Sequence, residues 1–564
     1  MVRARAGASN PRIRERARTR VLDHVPRAPR PLAAAQRACH AARALRSRTH
    51  SHLSIWPPDP RPRRPRRRPL ALAAAALVLA GCGALEDEEV PLGDPEPRTI
   101  THAFGELALP PLEDNARRCV SWRLDNERAL YVQSVQLANE GSFHHSNWLV
   151  VPEDSYPGAD GFWDCDARGF EEVSAAQKGT VLFAQSTQSY DETQRLADGA
   201  VIKIPPRHKI VGLLHTLNAA PRETRSRLWL SLELIHPRAV TTVVTPLSMQ
   251  YKALDIPGER ESRFTGNCDL SLAHSALTFE PLDLRLHYIL PHYHYLGNYF
   301  DVQVVGGAMD GQSVYRLEGF NGEGNGRTFD PPLELPGATG LKFTCGYDNW
   351  RDQRIRWGNG EGEMCVMLAL VEAGAVMGSS VDAYNHIVAV EDGIYYNEGL
   401  CLTAAAARSP QQGPPTGEER RAPMYLPPVD PADEELPPVP ACVDVDPAAP
   451  AEAPATLSSV RDALFTPSCS FSACHGETAA GGLDLHAADL HAELLGHEVA
   501  GADLPLIEPG DPDNSWLYRV LSRCEPTDDA GGVGRHMPLN APFLLDAAVV
   551  NKVRAWIAAG AKDN

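Results

Sequence analysis

The sequence is poor in long hydrophobic runs and, beyond its N-terminus, in positive charge. The apolar run Leu70–Ala80 has eleven residues, which span roughly 16 Å, whereas the hydrocarbon core of a bilayer is about 30 Å thick. This run is therefore too short for a transmembrane helix. Residues 82–564 hold 35 Lys and Arg against 69 Asp and Glu. Such an acidic chain argues against nucleic acid as a partner.

Several signatures of common enzyme classes are also missing. The sequence contains no metalloprotease helix motif, no phosphate-binding loop and no serine-nucleophile elbow. Long amphipathic helices are absent between about residues 99 and 400. Short alternating runs take their place, among them Ala129–Leu137 and Lys209–Leu217, with clusters of Gly, Pro, Asn and Asp between them. This pattern predicts β-sandwich domains.

The N-terminus has the character of an export signal. A basic stretch, Arg61–Arg68, precedes Leu70–Ala80, and Gly81 and Cys82 follow. The ending resembles the bacterial lipobox, in which the cysteine is lipidated. We therefore predict a basic extension and lipoprotein signal peptide over 1–81, with Cys82 as the lipidation site. The alternative is an ordinary signal peptide with a chance cysteine. The lipid anchor would bind the membrane and place the protein in the cell envelope, facing the periplasm or the cell surface.

The rest of the chain divides by composition. Residues 82–98 form an acidic tether. Roughly 300 residues of strand-like sequence exceed one sandwich, so we predict a mainly β fold with two consecutive antiparallel β-sandwich, jelly-roll-like domains over 99–248 and 249–403. Residues 404–454 are a linker rich in Pro and Ala. Residues 455–564 carry apolar residues at helical spacing, which predicts a small all-α domain.

The first candidate ligands are three histidines. His144 and His145 are adjacent, and neighbouring residues of a regular strand point to opposite faces. Both rings reach one ion only at a β-bulge or a strand end. His215 follows an apolar, strand-like run, where a histidine needs a buried partner. Taken singly, each histidine is more often a packed or a surface residue.

A second candidate set lies further along the chain. His292 and His294 are two residues apart in a strand-like segment, a spacing that places both rings on one face. Met364 lies in a Glu-Met-Cys segment, where alternation places it on one face with Val366 and Leu368. Taken alone, the position of Met364 predicts a core residue.

The order of these groups resembles the copper type II ascorbate-dependent monooxygenases, the family of peptidylglycine α-hydroxylating monooxygenase and dopamine β-hydroxylase. The resemblance covers about residues 100–400. Its local matches are Val135–Val150, Phe162–Asp166, His292–Gly297 and Gly360–Cys365. It implies hydroxylation of a C–H bond of a small organic substrate with O2, and ascorbate or another one-electron reductant.

The resemblance also implies two copper ions and two of three expected disulfides. One copper would be bound by His144, His145 and His215, and would deliver an electron across a cleft between the domains. The second would be bound by His292, His294 and Met364, which would form the catalytic centre, because a thioether favours Cu(I). The expected disulfides are Cys119–Cys165 and Cys345–Cys365, which rest on local matches to the family, and Cys268–Cys401, which is expected mainly by elimination.

The sequence departs from the amidating branch of that family at two positions. Leu290 stands where that branch has an arginine, two residues before the His-x-His segment, and Leu368 stands where it has a tyrosine. Those positions bind a substrate carboxylate in that branch, and leucine cannot replace a charged clamp. The departures argue against a peptidylglycine substrate and favour a less polar molecule.

The C-terminal region contains a C-x4-C-H motif formed by Cys469, Cys474 and His475. It resembles the haem-attachment motif of bacterial cytochrome c-like domains, which is usually C-x-x-C-H. The resemblance extends over 508–518, 536–538 and 555–561, and implies haem c with Met537, rather than His536, as the distal ligand. A zinc site or a simple disulfide is the alternative. A haem held on a flexible linker would pass electrons to the copper sites.

Two functions therefore compete at the level of the sequence. The first is the exported copper monooxygenase with a fused haem c domain as electron donor. The second is a non-catalytic surface lipoprotein that binds copper or transfers electrons, with a redox partner protein. The replaced carboxylate clamp keeps the second function open, and Met364 favours the first.

Overall fold

Alternation of buried and exposed side chains produces the strands of this fold. In the strand Arg260–Asp269, Ser262, Phe264, Gly266 and Cys268 are buried, and the residues between them are at least partly exposed. A strand with one apolar face must bury that face against a second layer. Sheets of such strands dominate the structure, so the prediction of a mainly β fold is confirmed.

The computed structural model describes residues 96–564, apart from 186–188, 319–325, 359–361, 430–435, 437, 439, 440, 472, 473, 477, 500, 501, 529–533, 540 and 542. The predicted signal region 1–81, the lipidation site Cys82 and residues 82–95 of the tether lie outside the described residues. In the part of the chain that is described, no helix has the length and apolar character needed to cross a membrane.

The first half of the β region contains two sheets. Its strands are β1 (Arg98–Leu109), β2 (Asp114–Arg123), β3 (Leu130–Asn139), β4 (Phe143–Pro152), β5 (Gly161–Asp164), β6 (Thr180–Gln185), β7 (Asp191–Arg195), β8 (Ala200–Ile204), β9 (His208–Leu217), β10 (Thr224–Leu234) and β11 (Thr242–Val243). One sheet has the order β1-β10-β3-β8-β11, with β7 beside β3, and the other has the order β5-β2-β9-β4-β6. Helix α1 (Glu172–Lys178) lies between β5 and β6 in the chain.

The second half repeats this arrangement with two six-stranded sheets. Its strands are β12 (Thr245–Tyr251), β13 (Asp255–Ile256), β14 (Arg260–Asp269), β15 (Leu284–His292), β16 (Gly297–Val305), β17 (Ser313–Glu318), β18 (Arg327–Leu335), β19 (Gly340–Asn349), β20 (Ile355–Arg356), β21 (Val366–Glu372), β22 (Ala375–Val381), β23 (Asn385–Glu391), β24 (Ile394–Leu400) and β25 (Leu402–Ala407). The orders are β18-β15-β21-β12-β22-β25 and β17-β16-β19-β14-β24-β23, and β13 pairs with β20. Helix α2 (Ser271–Thr278) follows β14.

The observed sheets differ from the prediction in two details. The predicted boundary at 248 falls inside β12, and β25 continues to Ala407, beyond the predicted end at 403. The sheets are also not purely antiparallel, since β8–β11, β12–β22 and β14–β24 are parallel pairs. Parallel partners need a long connection. The chain between β12 and β22 supplies one.

The two halves share apolar packing. The apolar cluster of the first half includes Tyr288, Leu290 and Leu370, which belong to β15 and β21 of the second half. All three are at most 5% exposed. Burial of such side chains stabilises by roughly 1.5–3 kcal/mol each. The shared cluster therefore fixes the position of β15 relative to the first half.

Part of the segment predicted as a flexible linker, 404–454, contacts the first half. Helix α3 (Gly417–Arg421) brings Glu419 to the Tyr131 hydroxyl, which donates to it at 2.8 Å. Lys203 donates to the Gly413 carbonyl at 3.2 Å. A Pro-rich composition is compatible with extended packing as well as with a free tether, and here the polar contacts select the packed form.

Short helices form the C-terminal region around a separate apolar cluster. They are α4 (Leu457–Val460), a π-helix (Arg461–Cys469), α5 (Leu490–Gly496), α6 (Trp516–Ser522) and α7 (Ala547–Ala558). Trp556, 1% exposed, is a central member of the cluster. That this region is an all-α cytochrome c-like domain stays a prediction.

Four disulfides stabilise the chain. They are Cys119–Cys165, Cys268–Cys401, Cys345–Cys365 and Cys442–Cys524. The first three join the cysteines that were expected to pair. Structural disulfides form in oxidising compartments, which indicates a protein outside the cytoplasm.

Candidate metal centre

Two neighbouring strands bring the first three histidines together. β4 pairs with β9, and His145 lies directly opposite His215. The register shifts between Phe143 and His145, so the pairing is irregular at His144. This agrees with the expectation that adjacent histidines reach one ion only at a bulge.

The three rings converge on one point. One ligand atom from each of His144, His145 and His215 lies within 4.8 Å of the others. His145 Nε2 is 3.2 Å from His215 Nδ1. Imidazole nitrogens at these separations suit a single transition-metal ion.

The second pair of histidines lies at the end of β15. His292 is the last residue of that strand and His294 follows it, with ring centroids 5.2 Å apart. The Nδ1–H of His294 donates to the Gly362 carbonyl at 2.8 Å. Nε2 of His294 is therefore the nitrogen left for a metal, an arrangement common in metal-binding histidines.

Gly297 allows the chain to turn after this pair. The Gly297 amide donates to the His294 carbonyl at 3.0 Å, and the buried Tyr293 ring lies against the turn. A Cβ at position 297 would lie 1.9 Å from Tyr293 Cδ2. The final glycine of the His-x-His-x-x-Gly segment is thus required by the packing of Tyr293.

Glu363 connects the His292–His294 segment to Met364. Its Oε2 accepts hydrogen bonds from the amides of His294 at 2.8 Å and Met364 at 3.3 Å, and its Oε1 accepts one from the Leu296 amide at 2.8 Å. Burial raises the pKa of Glu363 to about 8, against the effect of these amides. No role was predicted for Glu363 from the sequence. An acidic residue beside a buried ligand strand is nevertheless a signal of a functional site.

Met364 lies two residues before the start of β21 and is half-buried. Its carbonyl accepts a hydrogen bond from the Tyr347 hydroxyl at 2.6 Å, and the next residue forms the Cys345–Cys365 disulfide. The backbone of Met364 is therefore fixed on both sides, beside the turn that carries His294.

The two histidine sets adjoin one another. The rings of His145 and His292 are 5.9 Å apart between centroids. The expectation that a cleft between the domains separates the two sets is therefore wrong for this conformation. The shared apolar packing of Tyr288, Leu290 and Leu370 brings the end of β15 against β4 and β9.

Burial keeps the imidazoles of His145, His292 and His294 neutral. It lowers the pKa of His145 well below its usual value, and the neighbouring histidines add to the effect. It lowers the pKa of His292 to about 3 and also lowers that of His294, which the Gly362 carbonyl partly opposes. Neutral imidazole is the form that binds metal ions.

Leu290 and Leu368, the two departures from the amidating branch, are cross-strand neighbours on β15 and β21. Leu290 is 3% exposed, and both side chains pack with the apolar cluster of the first half. They provide no polar atom for a carboxylate.

The C-x4-C-H motif has two free thiols in a chain whose other described cysteines are paired. Cys469 and Cys474 form no disulfide with each other, and burial raises the pKa of each thiol to about 12. Within the described residues, the His144 cluster is the one group of His, Cys and acidic residues whose ligand atoms converge. A zinc site requires its ligand atoms to converge, and those of the two thiols and His475 do not.

The same donors fit a haem. Nδ1 of His475 is buried and makes no hydrogen bond with the described residues. Met537 packs against the C-terminal apolar cluster, and its amide donates to the Val520 carbonyl at 2.8 Å. Two spaced thiols beside a histidine match covalent attachment of haem c.

The C-terminal region docks on the first half close to the histidine trio. The Arg222 guanidinium lies 4.6 Å from the centroid of the Phe543 ring, and the Tyr190 hydroxyl donates to the Ala541 carbonyl. One cavity is lined by residues 217–220 together with Leu539, Ala541, Phe543 and Leu545. Asp114 lies close enough to Cys474 to contribute to the raised pKa of that thiol, after burial.

Replacing Gly297 by alanine tests the link between this turn and the site. We expect Gly297→Ala to destabilise the protein by about 1–3 kcal/mol, because the new methyl group must displace Tyr293, and to weaken metal binding by His292 and His294. Thermal unfolding and metal titration measure both effects. Gly378→Ala is the control, since nothing lies within 4 Å of its Cβ. Equal behaviour of the two variants would contradict this role.

Comparison with known proteins yields remote structural similarities only. The sequence matches no protein-family model and no curated protein. The structure is similar to the major capsid protein P2 of bacteriophage PM2, at 8% identity and a TM-score of 0.21, over 49% of this chain and 98% of that one. It is also similar to VP54 of PBCV-1, at 7% identity and a TM-score of 0.21, over 49% and 94%. These values are too low to indicate a shared function.

Proposed function

We propose that this protein is an exported copper-dependent monooxygenase that hydroxylates a C–H bond of a small organic substrate with O2. The observation that supports the proposal is the convergence of five histidine rings from two pairs of sheets. The backbone amides of His294 and Met364 also donate to the same carboxyl oxygen of Glu363. The resemblance to the copper type II ascorbate-dependent monooxygenases implies these six residues as ligands. Packing alone gives no reason for five imidazoles to meet.

The chain's residues would hold two copper ions. His144, His145 and His215 would bind the first, and His292, His294 and Met364 the second. Bound copper supplies one-electron redox chemistry and reaction with O2, and the thioether favours the reduced ion. Burial lowers the pKa of His145, His292 and His294, so the lone pairs of these three rings are available without loss of a proton.

The substrate would be an apolar or weakly polar molecule. Leu290 and Leu368 occupy the positions that would bind a carboxylate, and neither side chain has a polar atom to do so. Both are packed against the first half. A peptide with a free C-terminal carboxylate would therefore lose its anchor.

The C-terminal region would be the electron donor. Cys469 and Cys474 would attach haem c, with His475 and Met537 as iron ligands, and a His/Met-ligated haem supplies electron transfer. The contacts of Ala541 and Phe543 with the first half, with Cys474 near Asp114, support delivery to the first copper set. Ascorbate or another one-electron reductant would serve in its place. A lipid anchor on Cys82 would hold the protein at the membrane of the cell envelope.

A non-catalytic copper-binding or electron-transfer lipoprotein is the second candidate. The replaced carboxylate clamp favours it, because Leu290 and Leu368 provide no polar atom to hold a substrate carboxylate. The two candidates share the metal sites and differ only in turnover.

Oxygen consumption distinguishes the two candidates. We expect copper-loaded protein with ascorbate to consume O2 in proportion to a hydroxylated product, from a panel of apolar and aromatic substrates. Met364→Ile should lower this rate at least 100-fold, since the thioether is lost, whereas Met377→Leu, a core change, should leave it unaltered. Copper binding without product from any substrate would favour the second candidate.

Haem attachment is testable in the same protein. Expression with a cytochrome c maturation system should give haem that stays bound after denaturation, because thioether bonds are covalent. Cys474→Ser should lose one thioether, seen as a shift of the pyridine haemochrome band, and Ser470→Ala should keep both. Wild-type protein without covalent haem would contradict the assignment.

A further inference from the structure

The His215 ring lies between the His145 ring and the Asp114 carboxylate, which belong to the two neighbouring strands. In the sheet order β5-β2-β9-β4-β6, its strand β9 lies between β4 and β2. On the β4 side His145 faces it, with 3.2 Å between His145 Nε2 and His215 Nδ1. On the β2 side the Asp114 carboxylate lies 2.7 Å from His215 Nε2. The two ring nitrogens of His215 therefore have different partners.

This arrangement selects one tautomer of His215. An aspartate side chain is ionised at neutral pH, and an ionised carboxylate can only accept hydrogen bonds. Nε2 of His215 must then carry the hydrogen. In the neutral ring, Nδ1 keeps its lone pair, and it is Nδ1 that faces His145.

The irregular pairing of β2 with β9 places Asp114 at this point. Asp114 pairs with Leu217, two residues beyond His215, and the register shifts between Asn115 and Arg118. The neighbouring Glu113 carboxylate turns away and binds Arg118 at 2.7 Å. Two adjacent carboxylates thus have separate partners, and one of them contacts a member of the histidine trio.

We propose that Asp114 is a positioning residue of the first copper site, which holds His215 through Nε2 so that Nδ1 binds the metal. The inference rests on the proposed copper function and deepens it. Carboxylates that bond a ligating histidine fix the ring and increase its basicity.

The test uses the full chain with His292→Ala and His294→Ala, so that Cu(II) reports on the first site alone. In this background we expect Asp114→Asn to weaken Cu(II) binding by about 10- to 100-fold in a competition titration. Asp114→Glu should recover most of the affinity, and Glu113→Gln is the matched control that should match the background protein.

A spectroscopic readout separates ring orientation from loss of fold. The electron spin-echo modulation of the remote ring nitrogens should change in Asp114→Asn, because the remote nitrogen of His215 loses its charged acceptor, and should stay unchanged in Glu113→Gln. Copper binding with the same affinity and the same modulation in Asp114→Asn and the background protein would overturn the role of Asp114. A background protein that binds no copper at all would instead overturn the proposed function.

Discussion

The apolar packing shared by the two halves determines the geometry of the candidate site. Tyr288 and Leu290 of β15 and Leu370 of β21 are buried in the cluster of the first half. Because β15 ends at His292, this burial also brings His292 to His145. The packing is non-directional, but it places ligands from two independent pairs of sheets in one enclosed cluster.

Carboxylates then fix the ligands within that cluster. Asp114 holds His215 from one side, and Glu363 binds three backbone amides around His294 and Met364. These hydrogen bonds tie each carboxyl group to a ligand segment: Asp114 lies at the exposed side of the histidine trio, and Glu363 lies in the interior, where burial raises its pKa to about 8. The docked C-terminal region lies next to the Asp114 side of the cluster, which gives the proposed electron donor a direct approach to the first copper set.

Local pattern was sufficient for the strands, the irregularity at His144 and the mainly β fold, because alternation and adjacency are properties of a few consecutive residues. It was insufficient for the parallel pairs and for the contact of His145 with His292, which depend on packing between distant segments. Asp114 was missed for the same reason, since it lies 101 residues from His215. The linker was predicted to be free because its composition does not encode the partners of Glu419 on the first half.

The measurement that most directly tests this account is electron paramagnetic resonance of the oxidised, copper-loaded chain with its copper content determined. The adjoining rings of His145 and His292 predict two Cu(II) ions per chain whose signals are broadened by their mutual dipolar coupling. Fewer than two ions, or two that are magnetically isolated, would contradict the convergence of the two ligand sets.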